Sequence, residues 1–107
     1  MAEILIFYNV LSGKTNARRL QYVKKRFPGA RLVLIQRRVT VKELASLVQD
    51  ETLLVAVGGD GTVALVANVC IHLQRTLGIL PSGTGNILAK QFSIPLDIEK
   101  ACDVLHE

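Results

Sequence analysis

The sequence predicts an α/β fold, a three-layer open parallel sheet with helices on both faces. Three observations predict it. Apolar runs of four to six residues alternate with helical patterns along the chain, and each run closes in small or polar residues. A unit that reads strand, loop, helix separates each strand from the next by a helix, so the strands pair in parallel and both faces of the sheet are covered. The 107 residues, half of them hydrophobic and 21% charged, suit one small globular domain rather than a disordered chain.

The first strand is the run at residues 4–8, and a helix follows it with Ala17, Leu20, Val23 and Phe27 on its apolar side. Pro28-Gly29 ends that helix, and residues 32–35 form the second strand. Thr40-Val41-Lys42-Glu43 fits a capping box, in which the threonine hydroxyl and the glutamate each satisfy a backbone N–H of the first turn. The helix it opens carries Val41, Leu44, Ala45 and Val48 on one side. Residues 53–57 are the third strand, and a third helix follows Gly61. From Val63 to Leu73 that helix has almost no polar face, so it is expected to be buried on more than one side, either centrally or against an oligomer copy or partner chain. Residues 77–80 are the fourth strand, Ser93-Ile94-Pro95 breaks the chain, and a last helix opens at Asp97 with Ile98, Ala101, Cys102 and Leu105 as its buried stripe.

Charge is distributed unevenly. Residues 1–42 hold ten of the thirteen basic residues against one acid, whereas residues 43–107 hold three against eight. A cationic lobe suits nucleic acid, an anionic membrane surface or phosphate-bearing ligands. Arg18, Arg19, Lys24, Lys25 and Arg26 share one amphipathic helix, however, so the simpler reading is a solvated helix face, and no nucleic-acid partner is expected. The run at residues 4–8 is far too short to cross a bilayer, which limits membrane contact to a peripheral one. Cys70 and Cys102 lie in apolar stretches and form no metal-type doublet; with no secretion signal, the expected compartment is the cytoplasm. Cys70, His72, Cys102 and His106 could be grouped into a zinc site on paper, but both cysteines read more simply as small core residues.

The chemistry is carried by three glycine-bearing loops, each after a strand: Asn9-Val10-Leu11-Ser12-Gly13-Lys14, Gly58-Gly59-Asp60-Gly61-Thr62, and Pro81-Ser82-Gly83-Thr84-Gly85-Asn86. In an open parallel sheet all three fall on the carboxyl edge, where ligands bind. Phosphate recognition needs backbone N–H groups aimed at an anion with no side chain in the way, and glycines leading into a helix N-terminus provide this. Asp60 would repel a bare anion and makes better sense as a Mg²⁺ contact or as a group ordering the loop. Two familiar phosphate motifs fit poorly. Ser12-Gly13-Lys14-Thr15 looks like the end of a Walker A loop, but its leading glycine would fall at Tyr8. Residues 59–64 satisfy a dinucleotide fingerprint, yet no acid occurs between Gly61 and Leu96 to hold a ribose.

What neither motif explains is the double glycine ahead of Asp60, followed about two dozen residues later by a second glycine loop. In these features the chain resembles the N-terminal domain of the diacylglycerol kinase catalytic domains, the family that includes sphingosine and ceramide kinases and bacterial lipid kinases. The resemblance implies a Rossmann-like fold of the kind found in the N-terminal domains of phosphofructokinases and NAD kinases, with residues 1–107 as a nucleotide-binding domain. It also implies ATP and Mg²⁺ as cofactors and a lipid hydroxyl as acceptor. On the positions that match, Asn9, Ser12, Gly13 and Lys14 would help to hold nucleotide, and Gly58, Gly59, Asp60, Gly61 and Thr62 would wrap the phosphates. Gly83, Thr84 and Gly85 would contact the nucleotide, and Asp60 would be the metal-linked acid.

Three departures are visible. Val10 replaces the family's usual proline, Ala64 and Leu65 replace a polar residue and a glutamate, and the β-rich second domain that carries the catalytic base, most metal-contacting acids and the lipid pocket is not among these residues. A chain with phosphate cradles but no base has the binding half of phosphoryl transfer and is expected to be inactive alone. Two other readings share these loops: a nonenzymatic nucleotide or phosphate sensor or interaction module, and an NAD-kinase-like fragment.

Overall fold

The computed structural model describes residues 3–11 and 17–81. Its elements run β1 (Ile4–Asn9), α1 (Ala17–Arg26), β2 (Arg31–Ile35), α2 (Val41–Ala45), β3 (Leu53–Gly58), α3 (Asp60–Leu73) and β4 (Thr76–Pro81). Each strand lies where its apolar run put it and is longer by one residue at one or both ends. The helix expected from Asp97 lies outside the described residues.

All four strands are parallel, in the order β2-β1-β3-β4. Strand pleating sends alternate side chains to opposite faces. Leu5 and Phe7 of β1 join Leu54, Ala56 and Ile79 in the core under α2 and α3, while Ile6 and Tyr8 join Val55, Val57 and Leu80 in the core with Val23 and Phe27 of α1. Leu5, Ile6, Phe7 and Tyr8 are all buried, as a central strand covered on both faces requires. The three-layer α/β architecture is therefore present. On α1 the apolar side faces the sheet, and Arg18, Lys24 and Lys25 are exposed, so this part of the basic lobe is a solvated helix face.

Three expectations about the helices are corrected. First, α2 stops at Ala45 and does not include Val48. The Ser46 hydroxyl donates to the Glu43 carbonyl at 2.6 Å, the Leu47 and Val48 N–H groups bond three residues back, and the Leu47 carbonyl accepts from Arg31 Nη2. These local bonds compete with a further α-helical turn, although Val48 still packs on the core. Second, α3 begins at Asp60 rather than after Gly61, which places Gly61 and Thr62 in its first turn. Third, α3 is not a central helix, since within the chain it is buried on one side only. Thr62, Val63, Val66, Val69 and Cys70 are buried, whereas Ala64, Asn68 and His72 are exposed and Ile71 is 74% exposed.

The amino-terminal edge of the sheet is held shut by polar contacts. Glu51 is buried and its carboxylate meets Arg31 Nε at 2.6 Å and the Gln49 N–H at 2.8 Å. The Glu3 carbonyl accepts from the N–H groups of Thr52 and Leu53. No helix among the described residues is long and apolar enough to cross a membrane.

Candidate functional site

The chain leaves β1 toward β2 on one side and later returns to β3 on the other, so a crevice opens between the carboxyl ends of β1 and β3. Asn9, the last residue of β1, spans it. Its Nδ2 donates to Thr62 Oγ1 at 2.8 Å, and its Oδ1 accepts from the Leu11 N–H at 2.8 Å. One side chain thus shapes the first loop as an Asx-turn and ties it to the first turn of α3. Thr62 is 4% exposed, so this hydroxyl depends on a protein partner.

The N-terminus of α3 faces the same crevice. Gly59 is its N-cap in extended backbone, with no side-chain cap, and the Val63 N–H closes the first turn on the Gly59 carbonyl at 3.0 Å. The first N–H groups of a helix have no partner within it and carry the positive end of its dipole. Among the described residues, a Cβ added to Gly59 or Gly61 would meet nothing within 4 Å, and no glycine has a positive φ. The fold itself therefore does not require glycine at either position. What glycine provides here is bare backbone on the cleft side, which suits close approach by an anion.

A cavity of about 350 Å³ lies over these groups, lined by Asn9, Leu11, Ile35, Arg37, Arg38, Val39, Gly59, Gly61, Thr62 and Leu65. Of the positions singled out in the sequence, the structure brings Asn9, Gly59, Gly61 and Thr62 together on this cavity, with Gly58 and Asp60 adjacent in the chain. Ser12, Gly13, Lys14, Gly83, Thr84 and Gly85 lie outside the described residues, as do Cys102 and His106. β4 does deliver the chain to this edge, since Pro81 pairs with Gly58. Leu65 stands in the wall, so the position where the resembling family has a glutamate is apolar here.

Arg37 and Arg38 were not picked out from the sequence. They follow β2, whose place beside β1 puts its carboxyl end at the crevice, and the adjacent basic pair at a strand end was the signal available. Arg37 Nη2 pairs with Glu43 Oε2 at 2.6 Å. Glu43 also accepts from the Thr40 N–H at 3.2 Å, completing the capping box of α2. Arg37, and then Thr40, hold the Glu43 carboxyl below its ordinary range.

Among the described residues of the glycine loop, Asp60 is the acid a metal would find. Among the described residues no three His, Cys, Asp or Glu side chains gather in a metal-holding group, so a cation at Asp60 would need oxygens from elsewhere, such as those of a ligand. Cys70 is buried in the core, and that burial pushes its thiol up to about 11, which suits a core residue rather than a metal ligand.

Comparison with known proteins decides the ancestry: the profile of the "Diacylglycerol kinase catalytic domain" family matches residues 3–107. The chain belongs to this family. It is 37% identical over 70 residues to a diacylglycerol kinase of Staphylococcus carnosus, covering 64% of this chain and 23% of that protein. It is 45% identical over 65 residues to a "Probable lipid kinase YegS-like" protein of Yersinia enterocolitica, covering 57% of this chain and 21% of that protein. A crystal structure of a diacylglycerol kinase from Bacillus anthracis superposes with a TM-score of 0.79 at 22% identity, over 96% of this chain and 41% of that one. That likeness confirms the fold of the family's catalytic domain. The chain spans roughly a fifth to two-fifths of the length of these relatives.

Proposed function

We propose that residues 1–107 form the nucleotide-binding domain of a diacylglycerol-kinase-like lipid kinase, with the polyphosphate of ATP lying against the N-terminus of α3. Asn9 orders the first loop, Ser12, Gly13 and Lys14 would help to hold the nucleotide, and residues 58–62 would present backbone N–H groups to the phosphates. Gly83, Thr84 and Gly85 would contact the nucleotide. Asp60 would share Mg²⁺ with phosphate oxygens, and the ion would neutralise charge developing on the transferred group.

In this reading a lipid hydroxyl oxygen attacks the γ-phosphorus, the bond to the β–γ bridging oxygen breaks, ADP leaves, and the hydroxyl proton passes to a base on a second, β-rich domain. That domain would also hold the lipid pocket, so the 107 residues alone are expected to bind nucleotide without phosphorylating lipid. The working place would be the cytoplasm, with peripheral contact at an anionic membrane.

The observation that carries this reading is the backbone at Gly59 and Gly61 on the cavity, where ordinary dihedrals and the space left by the described residues give the fold no reason for glycine. The test is titration of the chain with Mg²⁺ and ATP, followed by NMR at the amides of residues 58–62, beside the variant G61A. Alanine is the better helix former by roughly 0.5–1 kcal/mol, so G61A should melt no lower than the native chain. It should nevertheless weaken ATP binding by about tenfold or more. Native amides that do not shift with ATP, or a folded G61A that binds ATP normally, would refute the assignment.

Leu65 favours a second reading, nucleotide binding without transfer, because it leaves the cleft short of an acid. Incubation with labelled ATP and diacylglycerol, in the presence of any segment that completes the enzyme, separates the two: labelled lipid excludes the second reading.

A further inference from the structure

Arg37-Arg38-Val39-Thr40-Val41 places arginines three and two residues before a hydroxyl, with an apolar residue directly after it. Of all the serines and threonines in the sequence, Thr40 alone has arginine at both positions. Basophilic serine/threonine protein kinases select substrates by this charge pattern, because acids in their peptide groove pair with the arginines. The structure presents the segment as such a groove requires. Residues 36–40 lie in no helix or strand, Arg37, Arg38 and Thr40 are exposed, and Thr40 has extended backbone at φ −101, ψ 162. The helix that follows, α2, is five residues long, and the first turn of so short a helix opens at little cost. The ion pair of Arg37 with Glu43 must open as well; its side chains are 69% and 42% exposed, and solvent-exposed pairs of this kind contribute little.

We propose that Thr40 is a phosphorylation site for a protein kinase of this class, and that Arg37 exchanges Glu43 for the new phosphate. In the transfer, Thr40 Oγ1 attacks the γ-phosphorus of ATP held by the kinase, the bond to the β–γ bridging oxygen breaks, ADP leaves, and the hydroxyl proton passes to the kinase's base. The exchange follows from how the carboxylate is held. Glu43 Oε1 accepts from Thr40 Oγ1 at 3.3 Å and from the Thr40 N–H at 3.2 Å, while Oε2 accepts from Arg37 Nη2 at 2.6 Å. Glu43 thus bridges the hydroxyl and the guanidinium, and a phosphate built on that hydroxyl brings its oxygens to where the carboxylate stands. Its charge of about −1.5 to −2 at neutral pH repels Glu43. The paired donors of Arg37 then match two phosphate oxygens in place of the carboxylate. The site is independent of what the cleft binds.

The experiment is incubation of the full chain with ATP and the catalytic subunit of cyclic-AMP-dependent protein kinase, with the modified residue located by mass spectrometry. The native chain should take up phosphate at Thr40, and R38Q should lower kcat/KM for the kinase by about tenfold or more. T40V should abolish labelling. T40S keeps both the hydroxyl and the helix cap and should still be labelled, which separates a lost acceptor from a lost fold. A folded native chain that takes up no phosphate, or takes it at another residue, would overturn the site. The exchange is read from a phosphorus-31 NMR titration of the phosphorylated chain, native and R37Q, the variant being modified with excess kinase. A guanidinium beside the phosphate holds its second ionisation below the ordinary value of about 6, and R37Q should return it toward that value. The same midpoint in both proteins would refute the role of Arg37.

Discussion

Asn9 does two jobs with one amide, and a short polar side chain at the end of a central strand is well placed for both. Its oxygen turns the chain at Leu11, and its nitrogen reaches a buried hydroxyl on another element. Replacing it by alanine leaves the Thr62 hydroxyl buried without this donor, and an unsatisfied buried group costs about 1–3 kcal/mol. Thr62→Val removes the other partner and leaves the Asn9 amide facing an apolar wall. If the bond matters, the two losses overlap, and N9A/T62V should be more stable than the sum of the single losses predicts, by about 0.5 kcal/mol or more. Urea denaturation of the four proteins measures this coupling; strict additivity would mean that the 2.8 Å contact contributes nothing. The sequence showed that both residues belonged to glycine-bearing loops. It did not show that they touch, since they are 53 positions apart and only the pairing of β1 with β3 brings them together.

Among the elements, α3 shows most clearly where pattern reading succeeds and fails. Its apolar residues identified a helix correctly, but composition alone could not distinguish a helix buried all round from one with an apolar residue in solvent, such as Ile71. The start was misplaced by reading Gly59-Asp60-Gly61 as a loop, although two of those residues are helical. Its end carries a cost that the sequence did not announce: Gln74 sits at φ 57, ψ 51, a left-handed conformation in which its N–H bonds back to the Cys70 carbonyl. A side chain with a Cβ is disfavoured there, and glycine is the usual residue at such a helix end. Q74G should therefore be more stable than Q74A by roughly 1 kcal/mol, a gap of several degrees in melting temperature for a chain of this size. Equal stability of the two variants would show that the left-handed turn is not maintained in solution.

At the scale of the molecule, the two edges of the sheet are built differently. Apolar runs alone revealed the four strands, and the parallel sheet followed from the helices between them. Strand order was not legible, and with it were hidden both the arginines of the cleft and the clamp at the opposite edge, where Arg31 and Glu51 meet across 20 positions. That clamp closes the amino-terminal edge, whereas the cavity lies at the carboxyl one. Arg31, then the Gln49 N–H, hold the Glu51 carboxyl down at about 2, against the opposing effect of burial. A carboxyl whose folded value lies below its ordinary 4.5 contributes its full stability above that pH and loses it as the pH falls toward 2. The shift corresponds to at most about 3 kcal/mol, and because the Arg31 side chain is 34% exposed and partly screened by solvent, roughly 1–3 kcal/mol is the fair range. E51Q should be less stable than the native chain by that amount near neutrality, and the two should converge as the pH is lowered from about 4.5 to about 2. Denaturation midpoints measured across this interval provide the test. A gap that stays constant with pH would show that the loss reflects packing rather than charge, and no gap at pH 7 would mean that the Arg31–Glu51 pair does not stabilise this edge.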